Sequence, residues 1–87
     1  MTVAADSPEQ LESVRAIFCS WRERLAALLS EGGVPEERAR ALAALLISSC
    51  EGAVVLARAE RALEPFDLVA RELMAAVCAA IAGEPNR

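Results

Sequence analysis

The chain has 87 residues, 55% of them apolar but only 3% aromatic, and a formal net charge of −4. One small domain is the limit of that length, and the Ala/Leu-rich, Tyr-free composition is that of an all-α protein. The acidic balance supplies no basic surface for a phosphate backbone, and no basic amphipathic helix suits a membrane surface, so neither nucleic acid nor membrane is an expected partner of this chain itself.

Three cysteines (Cys19, Cys50, Cys78) without a CxxC pair, and no histidine at all, leave no disulfide framework and no metal site to expect. No cofactor is expected. The opening MTVAADSPEQ has no basic segment followed by an apolar one, and the unbroken apolar runs, 41–47 in the central helix and 73–82 in the third, are far short of the ~20 residues of a membrane span. Cytoplasm is the expected compartment.

In chain order, Met1–Asp6 is expected to fray. Ser7-Pro8-Glu9-Gln10 reads as a helix start: Ser7 can cap, Pro8 suits the first helical position, and Gln10 sits where a capping box closes. Leu11, Val14, Phe18, Trp21, Leu25 and Leu28 then repeat at 3-4 spacing, so a first amphipathic helix is expected over about 8–30. Glu31-Gly32-Gly33-Val34 breaks it, with Gly32 as the candidate left-handed residue.

Pro35 opens a second helix, with Glu36 and Glu37 in its first turn where the helix dipole favours acid. Glu36 and Arg40 are spaced to form an i,i+4 ion pair. The helix runs to about 62 or 63, roughly 40 Å at ~1.5 Å per residue. Between Arg40 and Arg58 its only charge is Glu51. A helix apolar nearly all round must be buried nearly all round, and a chain this short cannot surround it. It reads as the central helix of an assembly, most simply a dimer.

Pro65 is expected to force Glu64 out of helical geometry and to start a third helix, about 65–82, with Gly83 past its end. Phe66, Val69, Leu73, Val77, Ala80 and Ile81 form its main stripe. The tail 84–87 is expected to be loose. Short connections make antiparallel neighbours of consecutive helices.

Within the central helix Ser48-Ser49-Cys50-Glu51-Gly52 is the one polar island. Gly52 in mid-helix costs ~1 kcal/mol relative to Ala, which a close helix crossing inside the chain, a crossing at a dimer axis, or a ligand contact could offset. Glu51 is either a polar contact in a ligand cavity or a rim residue. Cys50 has no base to form a thiolate, so no catalytic residue is assigned, and all three cysteines read as small apolar fillers. Phe18 and Trp21, one turn apart, are either core or the wall of an apolar pocket. The groups Arg22-Glu23-Arg24 and Glu36-Glu37-Arg38 mix both signs and read as solvated faces.

Trp21, Gly32-Gly33, Glu36-Glu37, Glu51-Gly52-Ala53, Ala57-Arg58-Ala59 and Pro65, in this order and spacing, resemble the C-terminal part of TetR-type transcriptional repressors, in the branch typified by LmrA and YxaF. The opening ADSPE is similar to the segment before that region, and the likeness covers about residues 4–82. The resemblance implies that the last two helices build a four-helix interface with a second subunit, and that preceding helices enclose a small-molecule pocket. It also implies an N-terminal helix-turn-helix domain that binds the operator.

The expectation is therefore a single C-terminal regulatory and dimerisation domain over 1–87, without the helix-turn-helix. Each protomer would have three antiparallel helices. The expected homodimer interface comprises Leu45, Ser49, Gly52, Val55, Leu56, Leu73 and Val77. A half-pocket for a small apolar effector would use Phe18, Trp21 and Glu51, and DNA would be reached only through the missing domain. The alternative is a stand-alone helical adaptor that uses the same apolar faces to bind another protein. An enzyme lacks residues to carry it.

Overall fold

The computed structural model describes residues 7–83, so the expectations for 1–6 and 84–87 lie outside the described residues. Three helices follow in order, α1 (Pro8–Glu31), α2 (Glu36–Glu60) and α3 (Glu64–Ile81), and no strand is present among the described residues. The fold is all-α.

Each boundary has a local cause. Ser7 caps α1, its Oγ accepting from the Gln10 N–H at 3.1 Å, and Pro8 follows in the first turn. At the other end the left-handed residue is Gly33 (φ 107), not Gly32, which has φ −80. The Val34 N–H donates to Leu29 O and the Gly33 N–H to Ser30 O, both at 3.0 Å, which is the Schellman arrangement. In that arrangement the positive φ falls one residue after the last half-helical one, hence Gly33.

The end of α2 repeats the same pattern without glycine. Arg61 takes φ 53, ψ 44, while the Ala62 N–H donates to Ala57 O at 3.1 Å and the Arg61 N–H to Arg58 O at 3.3 Å. The stop therefore lies before Pro65, and Glu64 is not expelled from helical geometry. It is the first residue of α3, with Pro65 in the same first turn.

The core is small and sits at one corner. Leu29, Val34, Ala39, Leu42, Ala43 and Ala80 form it, with Leu25, Ala26, Leu46, Ala76 and Val77 packed against them. It thus joins the C-terminal end of α1, the N-terminal half of α2 and the C-terminal end of α3, which makes each consecutive pair antiparallel. Helix α2 packs against both others, whereas α1 and α3 scarcely touch.

The result is a thin layer, 42 × 32 × 17 Å. Its radius of gyration is 14.8 Å, against about 12 Å for a compact chain of this length. The exposed area is 6695 Å², where a compact monomer of this mass exposes about 4,900 Å².

Candidate functional site

The surface left bare by this layer is apolar. On α2, Leu45, Val55 and Leu56 are 46%, 52% and 48% exposed. Leu45, Ser49, Gly52 and Leu56 follow 4-3-4 spacing, which aligns them along one stripe of the helix. Val55 lies beside that stripe. Ser49, Leu73 and Val77 are half-buried, and Val77 already packs against the core. So the expected interface residues divide into an open row on α2 and a partly occupied row on α3.

Gly52 is exposed, and a Cβ placed on it would meet nothing within 4 Å. That rules out a tight crossing inside the chain as the reason for a glycine there. The polar island is also less demanding than its sequence suggests. Ser48 Oγ donates back to Leu45 O at 3.2 Å, the local bond that serine makes when it sits in mid-helix. Glu51 faces solvent and bears no desolvation cost.

Cys50 and Cys78 are exposed and Cys19 is half-buried, all three free. None of the three lies in the buried core, so they do not act as apolar fillers within the chain. Helix α1 shows a similar departure. Its contact with the core runs through Leu25, Ala26 and Leu29, while residues 9–17 are exposed throughout. Leu11, Trp21 and Leu28 of the expected apolar face are 48%, 51% and 54% open. Phe18, half-buried, meets Trp21 edge-to-face at a centroid distance of 5.2 Å and 82°. This pair forms a rigid apolar wall on the open side of α1.

Two grooves flank α2. One, of about 650 Å³, lies between α1 and the start of α2 and is lined by Arg22, Glu23, Ala26, Ala27, Ser30, Glu36 and Arg40. The other, of about 480 Å³, lies in the α2–α3 corner, lined by Val54, Ala57, Arg58, Arg61, Ala62, Leu63 and Phe66. Neither of these two is lined by Phe18, Trp21 or Glu51, so the structure does not gather the three into either of them. Arg61 had no sequence signal of its own. Only the corner geometry brings Arg58 and Arg61 into one groove.

The expected Glu36–Arg40 ion pair is not formed. Among the described residues the one ion pair is Arg15–Glu12 at 3.9 Å, with both side chains about two-thirds exposed (67% and 68%). Exposed pairs of this kind gain only ~0.3–0.5 kcal/mol and lose side-chain entropy, so proximity in sequence does not enforce them. Arg38 is no solvated residue either. It is half-buried, and its Nη2 is enclosed without a hydrogen-bond partner among the described residues.

By length and composition α2 is apolar enough to cross a membrane, with a mean hydropathy of 1.6 over its best 18-residue window, of which 22% is buried. The 41–47 run understated this, because the island at 48–52 carries a single charge and hardly dilutes the average. A core helix of an assembly has the same property.

Comparison with known proteins adds three findings. The family model described as transcriptional regulator LmrA/YxaF-like, C-terminal domain, matches residues 1–72. Two curated relatives, both named as uncharacterized HTH-type transcriptional regulators and from two strains of Mycobacterium tuberculosis, are 45% identical over 58 residues. The match covers 67% of this chain but spans only 30% of the relatives' length. No solved structure matches.

Proposed function

The chain belongs to the TetR-type family of LmrA/YxaF-like transcriptional regulator C-terminal domains, and from that premise we propose that it is the dimerisation and ligand-sensing portion of a TetR-type repressor. The observation that carries this reading is the row Leu45–Ser49–Gly52–Leu56, open but for the half-buried Ser49, on a helix whose adjacent side is already packed. The total exposed area exceeds that of a compact monomer by more than a thousand Å², and large apolar side chains lie open on it, which is the expected state of half an assembly. A standard interface removes about 800 Å² from each partner.

In this reading α2 and α3 pair with the same helices of a second copy, with Gly52 at the closest approach. Leu73 and Val77 complete the seam from α3. The Phe18–Trp21 wall on α1, with Glu51 as a polar contact, forms one side of a pocket for a small apolar effector. Operator binding then belongs to a helix-turn-helix region outside these residues, and the cytoplasm is the place of action.

The test is the mass in solution, by light scattering after size exclusion at micromolar concentration. A clean species of two 9.2 kDa chains supports the reading. A folded monomer at that concentration overturns it.

A further inference from the structure

The α2–α3 corner has a chemistry that neither dimerisation nor the Phe18–Trp21 wall uses. Its groove of about 480 Å³ is broad and shallow, open to solvent along its length. Val54, Leu63 and Phe66 line it together with Arg58 and Arg61, and no acidic residue lines it. Leu63 is 73% exposed, an open apolar side chain beside two cations. Neither guanidinium has an ion-pair partner among the described residues.

Three backbone features bear on an anion there. Arg61 is held at φ 53, a conformation that residues with a Cβ adopt uncommonly and that glycine would fill without cost. An arginine is therefore kept there against local preference. The carbonyls of Ala57 and Arg58, which would repel a negative group, already accept from the Ala62 and Arg61 N–H groups. Helix α3 starts at the same corner with no side-chain cap, so the Phe66 N–H in its first turn is left without an intrahelical acceptor.

We propose that this corner binds a free amphipathic carboxylate, with its hydrocarbon chain on Val54, Leu63 and Phe66 and its head group between Arg58 and Arg61. Guanidinium groups suit this task because they meet a carboxylate with paired N–H donors. The site is separate from the effector wall, since Phe18, Trp21 and Glu51 do not line it.

The test follows the Val54 and Leu63 methyl and Phe66 ring signals of the whole chain by NMR during titration with decanoate at sub-micellar concentration. Shifts confined to the corner are expected. Arg58→Gln and Arg61→Gly should each raise the dissociation constant at least five-fold, and decanol should bind at least five-fold more weakly than decanoate. Arg61→Gly relieves the left-handed strain, so a loss of affinity in that variant reports the head-group contact and not a damaged fold. Unchanged affinity in both variants, or decanol binding as tightly as decanoate, overturns the proposal. So do corner signals that move with protein concentration alone, which would put a second copy in the groove. Binding to phosphatidylglycerol vesicles but not to monomeric decanoate overturns it as well.

Discussion

Val34 folds back over Leu29: its N–H donates to the Leu29 carbonyl at 3.0 Å, and the two side chains, 3% and 6% exposed, enter the same core cluster. One turn thus ends a helix, satisfies its last carbonyls and delivers two apolar side chains to the corner where all three helices meet. The geometry depends on the residue between them, Gly33.

Gly33→Ala should destabilise the chain by about 1–2 kcal/mol, the cost of a left-handed conformation for a residue with a Cβ. Space is not the obstacle, because a Cβ at Gly33 would meet nothing within 4 Å. Gly32→Ala is the control. Its φ of −80 suits alanine, and its Cβ would sit an ordinary 3.5 Å from Leu29 O. It should be neutral or gain up to ~0.5 kcal/mol through the unfolded state. Urea unfolding followed by circular dichroism separates the two, and equal effects would refute the account of the turn.

Leu42 and Leu45 are neighbours on α2 with opposite fates, 3% and 46% exposed. Leu42→Ala should cost about 2–5 kcal/mol, enough to unfold a small domain. Leu45→Ala should cost less than ~1 kcal/mol in a sample dilute enough to be monomeric, where the side chain is half in water already. Its effect should appear at higher concentration as weaker self-association. The measurement is thermal unfolding at two protein concentrations.

Gly52→Leu distinguishes folding from pairing. Within the chain nothing opposes the larger side chain, and helix propensity improves by up to ~1 kcal/mol. The monomer should therefore become slightly more stable while the dimer dissociation constant rises at least ten-fold, because a close backbone approach no longer fits. Sedimentation equilibrium reads the constant. A dimer as tight as that of the parent chain would place the crossing away from Gly52.

Arg61→Gly should raise stability by about 1 kcal/mol. The gain is the relief of the left-handed arginine, reduced by the greater freedom of glycine in the unfolded chain. Chemical denaturation at fixed protein concentration checks it, and a loss of stability would mean that the Arg61 side chain contributes more than its backbone costs.

The helices were legible because their signals are local. Ser7 and Pro8 mark a start by their own chemistry, and the 3-4 spacing of Leu25 and Leu29 with the apolar density of 41–57 needs no distant partner to be read. What was not legible depends on which side chain reaches which. Gly33 rather than Gly32 takes the positive φ because the turn closes on Leu29, and Arg61 ends α2 with no punctuating residue at all. The filler reading of Cys50 and Cys78 failed for a different reason. It assumed burial from apolar surroundings in sequence, whereas a single layer of helices leaves its faces open to solvent. The corner groove was invisible for the same reason, since Arg58 and Phe66 belong to different helices.

Because the core occupies a single corner, any tilt of α1 about Leu29 is magnified along the helix. From there to Pro8 the helix runs about 30 Å, and its residues 9–17 are exposed among the described residues. A rotation of about 10° at the corner, small enough to be absorbed by the side chains around Leu29, swings the Pro8 end by about 5 Å, close to one helical turn. The Pro8 end of α1 would therefore move farther than the adjustment among Leu29, Leu42 and Ala80 that tilts it.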